Sequence, residues 1–215
     1  MRLAISRKQN KGLTVLEISV VLAVLLLLAC LILPALYKAN QIAHRFSCTN
    51  NLKQVGLSFR TFANDHDGKF PMQLSTNNGG SLEFIDGGNA YRHFLALSKE
   101  LSTPKILVCP ADKRKALTNF AALNNEHVSY FVGLDAVSNY PTMLLGGDRN
   151  ITNEMLPNGQ ILLLMTNQTV GWTKEIHEDF GNVVLADDMV EQMSSSRLQG
   201  LVRNSGVATN RLAIP

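Results

Sequence analysis

A single carboxylate stands where a carboxylate is expensive. Glu17 sits just inside the apolar stretch 13–36, immediately ahead of nineteen uncharged residues, 18–36, and follows a basic leader holding Arg2, Arg7, Lys8 and Lys11 with no acid. An ionised group inside an apolar span costs about 2.5–3.5 kcal/mol on insertion scales, so Glu17 is a functional candidate that needs a partner. Further along, Asp65, Asp67, Asp148, Asn150, Asp187 and Asp188 crowd turn-forming stretches with oxygen donors. Ca²⁺ takes six to eight oxygens, and such turns could pool them, but no complete calcium-loop spacing is present and turn chemistry alone accounts for Asp and Asn there. The five histidines make no metal-ligand spacing. His177 and Asp187 could be imagined as an acid/base pair, yet no nucleophile elbow supplies their third member. Ser194–Ser196 reads as a helix cap. The expectation is a non-enzyme without a required cofactor, Ca²⁺ being the one candidate ion.

The elements that position these groups begin with a membrane span. Nineteen residues at about 1.5 Å rise cross a bilayer as a helix. The leader holds four of the twenty basic residues, so a chain cut behind it carries sixteen bases against seventeen acids and offers no nucleic-acid surface. Basic residues placed before the span put the N-terminus in the cytoplasm and export the rest. Past the span, Leu52, Val55, Phe59 and Phe62 recur three and four apart, which extends the helix to about Asn64 with one apolar stripe. Pro34 removes one of its hydrogen bonds and should loosen it, and Gly56 suits a close packing contact.

Gly12-Leu13-Thr14-Val15-Leu16-Glu17, with its leader, its apolar run and Pro34, resembles the processing site of type IV prepilins and type II secretion pseudopilins. The resemblance implies cleavage after Gly12 by a prepilin peptidase, which also methylates the new amine on Leu13. Leu13 departs from the usual Phe. It further implies that Glu17 and Pro34 serve assembly and register among pilin-like subunits, Glu17 by pairing with a neighbour's terminal amine; the plainer alternative is Glu17 snorkelling to headgroups. Cys48-Thr-Asn-Asn-Leu-Lys-Gln-Val-Gly56, Phe62-Ala-Asn-Asp-His-Asp-Gly-Lys-Phe-Pro71, Val108-Cys-Pro-Ala-Asp112, Ser129-Tyr-Phe-Val-Gly-Leu-Asp135 and Gly147-Asp-Arg-Asn150 are similar to pseudopilin-like proteins abundant in Planctomycetes and Verrucomicrobia. His177 followed by Asp187 matches their His-x9-Asp-Gly ending, with Asp188 in place of the glycine.

The implied fold is α+β and pilin-like: a long N-terminal helix, membrane-spanning in its first half, packed on a small antiparallel sheet. The segments are a leader 1–12, a span 13–36, an exported amphipathic helix 37–64 and a globular domain 65–215. Cys48 and Cys109 lie where disulfides persist, and are read as a bridge tying helix to domain or as two buried thiols. Cys30 reads as filler in the span; Leu27-Leu-Ala-Cys30 also resembles a lipoprotein box, a rival reading. A loop is expected over 72–90, a helix over 91–101, and strands over 106–109, 128–132, 142–145, 161–165, 182–186 and 189–193, the last two a hairpin across Asp187-Asp188. Gly146-Gly-Asp148 reads as a turn, Trp172 as core, and 204–215 as a loose tail after a short helix. The functional expectation is a filament subunit of a secretion or pilus system at the inner membrane. The alternative is a monomeric, tethered binding domain.

Overall fold

The computed structural model describes residues 14–153 and 161–215. The chain divides into two compact units, residues 1–42 and 43–215. Helix α1, Val15–Asp65, runs 51 residues and passes through Pro34. Its bounds match the periodicity in the sequence. In the first unit its large apolar side chains, from Val15 to Tyr37, are exposed. The segment is long and apolar enough to cross a membrane by length and composition.

In the second unit the same helix buries Cys48, Leu52, Val55, Gly56, Phe59, Phe62 and Ala63. These positions repeat at three and four residues and form one stripe. The stripe covers an antiparallel six-stranded sheet of order β4-β8-β1-β2-β6-β7. Its strands are β1 Tyr130–Gly133, β2 Leu144–Asp148, β4 Ile161–Met165, β6 Phe180–Leu185, β7 Val190–Ser194 and β8 Thr209–Ala213. The fold is therefore α+β, a long helix on an antiparallel sheet. The sheet is buried on both faces, because Tyr130, Val132, Leu145 and Val184 join the α1 core while Phe131, Leu144, Val183 and Leu185 join a second one. That second core is closed by the ribbon β3 Ile151–Asn153 with β5 Val170–Trp172 and by helix α3, Ser195–Arg203. Ser194 caps α3, its hydroxyl accepting from Arg197 N, and Trp172 is core.

Several expectations need correction. Residues 106–109 form no strand; Pro104 opens a 3-10 turn, Pro104–Leu107, capped by Thr103, because proline presets the helical φ at a first-turn position. The helix expected over 91–101 is α2, Ala90–Ala96, which ends early as its last turn tightens, Leu97 N reaching Phe94 O, and Ser102 adopts φ +59. Gly146-Gly147-Asp148 is strand, not turn: a Cβ on Gly147 would lie 2.7 Å from Asn182 O and from the Phe131 ring. The tail is ordered. β8 lies between β4 and β1, and Arg211 chelates Asp135, with Nη2 to Oδ1 at 2.7 Å and its backbone N to Oδ2 at 2.8 Å.

The region 72–90 is irregular, stepping through 3-10 turns at Pro71–Gln73, Thr76–Asn78 and Leu82–Phe84. Beneath it Ser81 and His93 are fully buried, with Ser81 Oγ 2.8 Å from His93 Nδ1. Burial pushes the His93 pKa down to about 4. The folded chain holds this imidazole neutral where the unfolded chain, near 6.5, would protonate it. Its contribution is thus complete above pH 6.5 and lost as pH falls toward 4. His93→Gln should make the acid-side fall in stability shallower by roughly 1.4 kcal/mol per pH unit in that window, read by urea unfolding of the detergent-solubilised chain. An unchanged slope would show that His93 does not titrate this way.

Candidate functional site

Two places gather the residues that the motifs single out. At the start of α1, Thr14 and Glu17 form a reciprocal capping box. Thr14 N and Oγ1 both donate to Glu17 Oε2, at 2.8 and 2.9 Å, and Glu17 N donates to Thr14 Oγ1 at 3.3 Å. The two side chains satisfy donors that the first helical turn leaves free. Its signature in the sequence is Thr-x-x-Glu before an apolar run. Gly12 and Leu13 lie outside the described residues. Cys30 is exposed and unpaired.

The second place is deep in the globular unit. Cys48 and Cys109 form a disulfide across a separation of 61 residues, which joins α1 to the segment after Pro104–Leu107. His177 stands against it, its Nε2 3.3 Å from Cys109 Sγ. That nitrogen is also 3.6 Å from Asp148 Oδ2. Asp148, at the end of β2, is 0% exposed, and its Oδ2 accepts from Asn182 N at 2.7 Å and Nδ2 at 2.9 Å. Asn182 Oδ1 in turn accepts from Thr49 Oγ1 at 3.0 Å, which closes the circuit back to α1. His177 is aimed inward by a tight bend, since Glu178 adopts φ +60 and His177 bridges to Phe180 at the start of β6.

Burial dominates the electrostatics. It raises the Asp148 pKa to about 7 and, acting first, lowers that of His177 to about 4, with Arg45 adding to it. Both groups are pushed toward their neutral forms. Desolvation, reinforced by Asp148, raises Tyr130 well above its usual value. Around this centre lies a charged outer ring. Arg149 grips Asp112 in bidentate fashion, Nε to Oδ2 at 2.8 Å and Nη2 to Oδ1 at 3.0 Å, and reaches Glu175 at 2.8 Å. Burial opposes the Asp112 carboxylate, but hydrogen bonds and charge from Arg149 hold its pKa low. Arg114 donates to the carbonyls of Asn125, Val128 and Pro215. Arg149 N donates to Ser129 O, and Ser129 N to Leu107 O. The Cys48, Cys109–Asp112, Ser129–Tyr130, Asp148–Asn150 and His177 motifs thus converge from five stretches of chain.

His177 and Asp187 do not act together. His177 faces the disulfide, whereas Asp187 is exposed at the β6–β7 hairpin, its Oδ1 accepting from Met189 N at 3.0 Å. Asp188 takes the place of the expected glycine at φ +69, and Arg60 Nη1 holds its Oδ2 at 2.7 Å. The calcium candidates Asp65, Asp67, Asp187 and Asp188 form no group of three ligands among the described residues. One such group does appear there: Cys48, Cys109 and His177, all buried. Asn182 and Thr49, which support Asp148, carried no signal in the sequence beyond ordinary polar residues.

No family model, curated protein or solved structure matches the chain. With His177 and Asp148 buried, the cluster acts as a clasp for the helix. In the loop-entropy account a disulfide over this separation contributes about 4 kcal/mol. Cys48→Ser with Cys109→Ser should therefore lose stability of that order in urea titration. Maleimide labelling of the denatured, unreduced chain should modify Cys30 alone; labelling of all three cysteines would contradict the bridge.

Proposed function

We propose that the chain is a prepilin-processed pseudopilin or type IV pilin-like subunit that assembles through α1 into a filament of a type II secretion or pilus system. The observation that carries the reading is α1 itself. Its first part exposes apolar side chains over a length suited to a bilayer, and its last part buries one stripe in the globular unit while Phe46 and Leu57 stay 72% and 60% exposed. In this reading the leader is cut after Gly12 and Leu13 is methylated by a prepilin peptidase. The N-terminus lies in the cytoplasm, the span in the inner membrane, and the globular unit outside it, where the disulfide persists. Moving the apolar part from lipid into a helix bundle costs little, since both surroundings are apolar. The work is assembly rather than catalysis, and nucleic acid is no partner.

Glu17 has two roles to separate. It caps its own helix with Thr14, and its charge is available to a neighbour's terminal amine. Glutamine serves in a capping box as glutamate does. Glu17→Gln should keep the cap, insertion and cleavage but block assembly. If Glu17→Gln assembles normally, the charge pairing is wrong and the cap is the whole role. The reading as a whole is tested by intact mass and N-terminal sequence of the membrane-extracted protein from a host with an active prepilin peptidase. A chain starting at methylated Leu13 is the expected result. An uncut Met1 or a lipid-modified Cys30 would overturn it.

A further inference from the structure

The buried cluster around the disulfide has the donor set of a metal centre. Cys48 Sγ, Cys109 Sγ and His177 Nε2 all lie within 4.8 Å of one another. A tetrahedral zinc site with bonds of about 2.0–2.3 Å has ligand–ligand edges of about 3.3–3.8 Å. The separation between His177 Nε2 and Cys109 Sγ, 3.3 Å, is already such an edge. So is the 3.6 Å between His177 Nε2 and Asp148 Oδ2. Asp148 Oδ1 is buried without a hydrogen-bond partner among the described residues, on the same carboxyl group whose Oδ2 approaches His177. Asn182 and Thr49 hold this carboxylate in place from behind, as outer partners do in metal sites.

We infer that, when its disulfide is opened, the Cys48–Cys109–His177 cluster is a buried site for a zinc-class divalent cation, with the Asp148 carboxylate facing the fourth position. The donor set selects the metal: two thiolates and an imidazole favour Zn²⁺ over the oxygen-seeking Ca²⁺ or Mg²⁺. Two thiolates also balance the charge of a divalent ion, which a dry interior requires. Opening the bridge needs two electrons. A dithiol reductant supplies them: its two sulfurs join as a disulfide, its two protons pass to Cys48 and Cys109, and those protons leave as the metal binds. The sulfurs then need only separate to a tetrahedral edge. The same residues would clamp α1 to the domain in either redox state, by a covalent bond in one and by a cation in the other.

The test uses the full chain in detergent carrying Cys30→Ser, so that Cys48 and Cys109 are its sole thiols. Oxidised and phosphine-reduced samples are titrated with Co²⁺ alone, then with Zn²⁺ in competition. The reduced protein should take up one Co²⁺ with a thiolate-to-cobalt charge-transfer band, displaced by Zn²⁺, and the oxidised protein none. Cys109→Ser should abolish the band, His177→Ala should weaken binding at least tenfold, and Asp148→Asn should shift the visible ligand-field bands. No band in the reduced protein, or one indifferent to Cys109→Ser and His177→Ala, overturns the proposal. If reduction unfolds the chain, Zn²⁺ should restore its thermal transition; a reduced chain that stays unfolded in Zn²⁺ overturns it as well.

Discussion

The globular unit depends on one close contact, that of α1 with the sheet at strand β6. Gly56 lets the helix backbone approach strand β6 so tightly that a Cβ there would lie 2.7 Å from Val184 Cγ2. With the helix so near, Leu52, Val55, Phe59 and Phe62 are fully or almost fully buried, and Phe59 meets Phe70 and Phe94 edge-on at 6.0 and 6.2 Å. Glycine in a helix interior costs about 1 kcal/mol, and close packing of this stripe offsets it. The Cys48–Cys109 bond anchors the stripe at its first buried position, and Arg60 with Asp188 pins the far side at the β6–β7 turn.

The polar cluster follows from that geometry. A helix pressed against a sheet buried on both faces leaves no water for the groups at the junction, so each must find a protein partner or go neutral. Asn182 and Thr49 supply partners for Asp148, while His177 is held neutral against the sulfur. The ion pairs sit one step outward, where Arg149 and Glu175 keep contact with solvent. The arrangement ties these distant stretches of chain to the part of α1 that packs on the sheet, from Cys48 and Thr49 onward.

What was legible in the sequence was periodic or covalent. The stripe from Leu52 to Phe62 repeats over several turns, and it located the helix to within a residue or two at its C-terminal end. The β6–β7 hairpin was legible from two apolar runs flanking Asp187-Asp188, and the structure shows the second aspartate adopting the left-handed backbone that glycine would take more cheaply. β8 was not legible, because Thr209-Asn-Arg-Leu-Ala213 holds few apolar residues and becomes a strand only through pairing with β1 and β4. β3 and β5 are three residues each, too short for a period. Gly146-Gly147 looked like a turn because glycine marks both turns and crowded strands, and only the neighbouring Phe131 ring separates the two. For the site, the motif residues were visible singly; their meeting around His177 is a product of sheet order.

In the proposed assembly α1 turns one face to its own domain and keeps the other for neighbouring subunits. In-membrane crosslinking through a cysteine placed at Phe46 or Leu57, in a Cys30→Ser chain with the natural disulfide intact, tests it most directly. The account predicts ladders of crosslinked multimers from these exposed positions when the assembly machinery is present, and none when Glu17 is replaced by Gln. Monomer alone at both positions, with the machinery active and the chain processed, would contradict it.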